Sequence, residues 1–216
     1  MIEKYFIPGV RLKWVKPRDF TGGAMDGSLV DCPAGQETPM IYDGMDGELQ
    51  GFSPVNVTAL GFRMNMPISY SWLSYAPGRT ARRMRVAGDM LTGYMSGCLI
   101  TDWSENGMRY VGHIGTIDGN AVVNARVKSA FAGAMPSQTR GFNPAGAWTR
   151  GEITPLMLKF KGGAQERIFA LVTSSGDYYA ILMFLLVGKP NEWCVGGIKK
   201  VPPMNRAALH AHLTRP

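Results

Sequence analysis

The chain has 216 residues, 45% hydrophobic and 18% charged, with a formal charge of +7 and a pI near 9.5. That balance excludes a disordered chain and supplies ample material for a buried core. The most apolar run, Tyr178 to Val187, is far short of the ~20 residues that a membrane-spanning helix needs, and the first residues lack the apolar core of a secretory signal.

Taken in order, residues 1–19 place Val10, Leu12, Trp14 and Val15 in loose alternation and predict one or two short strands. From Thr21 to Gly51, glycine and aspartate dominate, which predicts a long loop, with Cys32 an incidental thiol inside it. Val55 to Met64 alternates as a strand. After the Pro77-Gly78 break, Thr80 to Met90 reads as a short helix capped by Thr80. Arg79, Arg82, Arg83 and Arg85 form the one dense basic cluster. It is either a solvated helix face or a patch for a partner, and no aromatic-rich signature makes it a nucleic-acid site.

Tyr94–Trp103 and Arg109–Thr116 read as paired strands joined at Asn106-Gly107, the strongest short-range hairpin signal because a type I′ turn needs positive φ at both central residues. Asp118-Gly119-Asn120 then caps a helix from Ala121 to Ala132. Residues 133–151 read as loop. Strands are predicted over Leu156–Phe160, Arg167–Ser174, Tyr178–Val187 (buried on both faces) and Trp193–Val201, with a short helix over Met204–Leu213. The 27 glycines fit a strand-rich domain with long loops. There is no internal repeat or low-complexity linker, so one domain over 1–216 is expected.

The chemistry gathers at Thr92-Gly93-Tyr94-Met95-Ser96-Gly97-Cys98. The three cysteines, at 32, 98 and 194, contain no CxxC pair, so zinc, thioredoxin-like and disulfide-framework readings lack support and free thiols are expected. No metal or other cofactor is signalled. If Asn106 and Gly107 are the loop of the hairpin, Glu105 faces Met108, Trp103 faces Tyr110 and Ile100 faces His113. Side chains alternate along a strand, so Cys98 shares a face with Ile100 and is a diagonal neighbour of His113. A one-residue slip would separate them. A neighbouring imidazole favours the reactive thiolate. Gly97 permits close approach, and the Cys98 N–H can serve an oxyanion. The alternative is an ordinary buried cysteine beside a structural histidine.

This segment resembles the Leu-Ser-Gly-Cys motif of the glutamine-deamidating bacterial toxins, the family of the cytotoxic necrotizing factor catalytic domain and Burkholderia lethal factor. In the lethal factor a threonine likewise precedes the cysteine by six residues, as Thr92 does here, and in both toxins a histidine follows on the next strand, as His113 does. Met95 replaces the usual leucine. The resemblance covers Thr92 to Thr116. It implies a single α+β domain, a central mixed β-sandwich flanked by helices and long loops. It also implies a Cys98 nucleophile, His113 as acid–base partner, and the Thr92 carbonyl orienting the histidine, with Ser96 and Gly97 completing the motif. The implied activity converts a glutamine of a target protein to glutamate, for instance at a GTPase or helicase active site. The protein would act as a monomer without metal or cofactor, made in a bacterial cytoplasm and delivered into a target cell's cytosol. Two other readings stand beside it. One is different Cys-His amide chemistry, a transglutaminase or cysteine protease, with Asp102, Asp118 or Asn120 as the orienting group. The other is a non-enzymatic basic binding module built on Arg79–Arg85.

Overall fold

The computed structural model describes residues 1–35, 37–49, 56–86, 88–160 and 162–215. The strands, in chain order, are β1 (Val10–Lys13), β2 (Leu29–Asp31), β3 (Met40–Met45), β4 (Pro67–Ile68), β5 (Ser71–Trp72), β6 (Thr80–Met84), β7 (Met90–Gly93), β8 (Leu99–Glu105), β9 (Met108–Ile114), β10 (Arg140–Phe142), β11 (Ala164–Val172), β12 (Tyr178–Leu186) and β13 (Glu192–Lys200). The α-helices are α1 (Ala121–Ala134), α2 (Arg150–Met157) and α3 (Arg206–Thr214). Eight strands form one sheet in the order β4-β3-β1-β13-β12-β11-β7-β5, and five form a second in the order β10-β8-β9-β6-β2. Each sheet is mixed, because β5 runs parallel to β7 and β2 parallel to β6 while the remaining pairs are antiparallel.

Alternation along the strands sorts the side chains into layers. In β12, Ile181 and Met183 face the interior of the larger sheet, and Leu182 and Phe184 face outward. Ile68 and Trp72 lie on opposite edge strands, yet they share one buried cluster with Trp14, Phe169 and Trp193, so this sheet curls on itself. The rings of Trp14 and Trp72 are 5.8 Å apart, and burying each such side chain contributes roughly 1.5–3 kcal/mol. On the outer face, one end is covered by Ile153 and Leu156 of α2. The other end packs against the smaller sheet, where Met90, Ala170, Val172 and Tyr178 meet Ala81, Ile100 and Val111. Helices α1 and α3 cover the far side of the smaller sheet through Val127, Phe131, Leu209 and Leu213. The architecture is α+β with two stacked mixed sheets.

Several local expectations are corrected. Thr80–Met84 is a strand, because its backbone is shared between β9 and β2. Residues 21–51 contain β2 and β3, and 133–151 contain β10 and the start of α2. The expected strand Val55–Met64 is a series of turns over its described part. The Asn56 carboxamide accepts from Thr58 and Ala59 N–H, and Gly61 takes φ +79°; Val55 lies outside the described residues. Leu156–Phe160 is not a strand. Thr149 and Glu152 form a reciprocal capping box that starts α2, which carries the chain through Leu156. Tyr94 to Cys98 is not in a strand either; β8 begins only at Leu99.

Candidate active site

The hairpin is built as its turn chemistry dictates. Asn106 has φ +51° and Gly107 φ +76°, and Glu105 pairs with Met108. The register carries through to Ile100 opposite His113 and Leu99 opposite Ile114. With Val111, His113 points into the interface between the sheets. Thr92 alternates with Leu91, which lies inside the curl, so Thr92 faces the same interface from the larger sheet. The two residues meet there, Thr92 Oγ1 to His113 Nδ1 at 2.8 Å. The hydroxyl makes this contact, where the resemblance implies the carbonyl. Next to Thr92, Gly93 is packed so closely by the Phe169 ring that an added Cβ would lie 2.4 Å from it.

Cys98 stands immediately before β8 and is 2% exposed. The Thr116 hydroxyl lies 3.4 Å from its Sγ, as donor, and the thiol points to the Thr116 carbonyl at 3.8 Å. Tyr75 connects this group to the histidine. Its hydroxyl donates to the same Thr116 carbonyl at 2.8 Å, and its ring lies 5.4 Å from the imidazole. Ser96 and Gly97 are exposed beside the buried thiol. Met95 and Ser96 also line a cavity of about 350 Å³ with Trp148, Arg150, Glu166 and Ile168.

Burial sets the resting protonation. The fully buried His113 has its pKa pushed down to about 3, chiefly by desolvation and secondarily by the charge of Lys16. Desolvation likewise pushes the Cys98 thiol up, against the opposing pull of the Thr116 hydroxyl and the backbone of Thr116 and Gly97. Tyr75 is raised to about 12, first by burial and then by the proximity of Cys98 and Asp118. The site is therefore neutral at rest: thiol, imidazole and phenol. Among the described residues, His113 Nε2 is buried without a hydrogen-bond partner, and Cys98 Sγ bonds Thr116 rather than the histidine. A buried polar atom without a partner is uncommon and costs on the order of 1–3 kcal/mol.

The sites of the other readings are placed elsewhere. Asp102 is bound by Arg109, Arg140 and Tyr178, and Asn120 caps α1 through Val123 N–H. Neither reaches His113. Asp118 is exposed. Within the arginine cluster, Arg82 bonds Asp31 and Glu105, and Arg83 bonds Glu37 and the Trp72 carbonyl. Arg85 bonds the carbonyls of Thr173 and Ser174, and Arg79 that of Gly22. These guanidiniums are committed to internal contacts. All three cysteines are free; Cys194 is buried, and the Cys32 sulfur accepts the Ser74 N–H at 3.3 Å. Among the described residues no group of three His, Cys, Asp or Glu side chains is arranged to hold a metal ion, and no helix is long and apolar enough to cross a membrane.

Tyr75 and Thr116 escape the sequence reading as site residues. Thr116 had a signal: continuing the hairpin register past Leu99 and Ile114 sets it opposite Gly97, next to Cys98. Tyr75 had none, because it reaches the site from a separate loop. Compared with protein-family models, curated proteins and solved structures, the chain matches none.

Proposed function

We propose that the protein is a protein-glutamine deamidase in which Cys98 is the nucleophile and His113 the acid–base group. The observation that carries this reading is the 2.8 Å contact between Thr92 Oγ1 and His113 Nδ1. When Nδ1–H donates to the threonine oxygen, the imidazole is held in the tautomer whose Nε2 is a lone-pair base, and that nitrogen has no hydrogen-bond partner among the described residues. The same Thr, Cys, His order is what makes residues 92–116 resemble the deamidating toxins.

In the reaction, Cys98 Sγ attacks the side-chain amide carbon of a glutamine, and the thiol proton passes to His113 Nε2. The Cys98 N–H supports the oxyanion. The C–N bond then breaks, the proton leaves with ammonia, and a thioester remains. Water adds to the thioester, the C–S bond breaks, and glutamate and the thiol are released. The neutral resting pair suits this sequence, because the proton moves only as the bond to carbon forms. The exposed Ser96–Gly97 edge is the side from which a glutamine reaches the thiol. Delivery into a target cell and a GTPase or helicase substrate belong to the same proposal.

The test is peptide mass spectrometry of a target-cell lysate after incubation with wild type or Cys98→Ser. Gln-to-Glu changes present only with wild type support the reading. Equal modification by a folded Cys98→Ser protein overturns it, and incorporation of a supplied primary amine assigns transglutamination instead.

A further inference from the structure

At the other end of the β8–β9 hairpin, a cavity of about 530 Å³ is lined by Asp102, Arg109, Arg140 and Arg206, with Ser104, Gln138, Thr139 and Asn205 among its polar walls. Its charges do not balance. Asp102 is the only carboxylate among the lining side chains, against three guanidiniums. Arg109 and Arg140 share that one carboxylate, each with an Nη2–Oδ2 distance of 3.0 Å, and Tyr178 donates its hydroxyl to it as well. Among the described residues, Arg206 donates to the carbonyls of Pro136 and Met135. Arg85 does not line the cavity, its guanidinium being bonded to the Thr173 and Ser174 carbonyls, but it lies near the group: burial lowers its pKa first, Arg109 and Arg140 lower it further, and Asp102 and Tyr178 act against them.

The three lining guanidiniums reach solvent. The side chains of Arg109 and Arg140 are 43% and 40% exposed, and Arg206 is exposed. The N-terminus of α3, at Asn205 and Arg206, forms part of the wall, and its dipole adds positive potential. Guanidiniums present forked N–H donors that match tetrahedral oxyanions, and here they come from β9, β10 and α3, so they surround a ligand rather than line one strip of surface.

We propose that this cavity binds a multiply charged oxyanion of the phosphate class, as carried by a phosphorylated small molecule. The volume exceeds what a bare phosphate fills, which leaves room for the group that bears it. The proposal stands independently of the Cys98 reading.

Isothermal titration calorimetry of the full chain with pyrophosphate tests it, in buffers held at constant ionic strength with sodium chloride. Saturable one-site binding is expected. Arg109→Gln and Arg206→Gln should each weaken it about tenfold, the loss expected for one charge-assisted hydrogen bond. Asp102→Asn should bind more tightly than wild type, because it removes the competing carboxylate. Arg206 is exposed and its hydrogen bonds among the described residues go to backbone carbonyls, so its variant reports on the site even if the Asp102 variant fails to fold. Absence of saturable heat with wild type, unchanged binding in both arginine variants, or tighter binding of the dicarboxylate malonate than of pyrophosphate would overturn the proposal.

Discussion

Asp102 and His113 are two buried polar residues on one hairpin, on neighbouring strands of the same sheet, and the protein treats them in opposite ways. Asp102 has two guanidiniums and a phenol around its carboxylate. His113 has one hydroxyl on one nitrogen and, among the described residues, no hydrogen-bond partner on the other. A buried charge persists only when its partners repay desolvation, so Asp102 is saturated because it must be. A neutral imidazole tolerates an open valence at moderate cost, and an open valence is what a proton-transfer group needs. The saturated residue ties the two sheets together, and the unsaturated one is the residue to which the proposed reaction assigns proton transfer.

The strongest break of this contrast exchanges activity for stability. His113→Leu should abolish deamidation while changing unfolding free energy by no more than about 1–2 kcal/mol, since it removes one unpaired nitrogen and frees the Thr92 hydroxyl. Asp102→Ala should do the reverse to the fold, costing on the order of 2–3 kcal/mol. That is less than for a sealed ion pair, because both guanidiniums reach solvent. Urea unfolding of the two variants checks both values.

Acid sharpens the comparison. The folded pKa of His113, about 3, lies below the ordinary 6.5, so the unfolded chain takes up a proton first as pH falls. The stability contributed by keeping this histidine neutral is complete above about pH 6.5 and declines by about 1.4 kcal/mol per unit below it. Between about pH 6.5 and 4.5, above the range where most carboxylates titrate, wild type should lose stability more steeply than His113→Leu. Urea midpoints across that window measure the difference.

Smaller effects follow at the edges of the site. Thr92→Val should cost about 1–2 kcal/mol by leaving Nδ1 unpaired, and should lower kcat more than it raises KM, because it disturbs the base rather than substrate binding. Gly97→Ala should shift stability by less than about 0.5 kcal/mol. A Cβ there would meet only the Thr116 hydroxyl, at 3.5 Å, and Gly97 does not adopt a positive φ. Thermal melts of the purified variants check this last expectation.

Much of the candidate site is legible in the chain because hairpin geometry is local. Asn106-Gly107 fixes the turn, the turn fixes the register, and the register sets Ile100 opposite His113. The long buried strands β11 to β13 and the Asn120-capped helix α1 are legible for the same reason: their apolar runs and caps are contiguous in sequence. The arginine-rich Thr80–Met84 segment misleads, since its local composition suits an exposed helix and only pairing with β9 and β2 makes it a strand.

Sequence by itself thus determined the β8–β9 hairpin, the side of it on which His113 lies, and the motif that ends at Cys98, all from interactions within a few residues of one turn. Tertiary structure alone decided that the Thr92 hydroxyl meets the imidazole across two sheets, that Tyr75 joins histidine to Thr116, and that three arginines share a cavity with one aspartate. These contacts join segments whose closeness is set by how the sheets curl and stack, and no spacing along the chain encodes that.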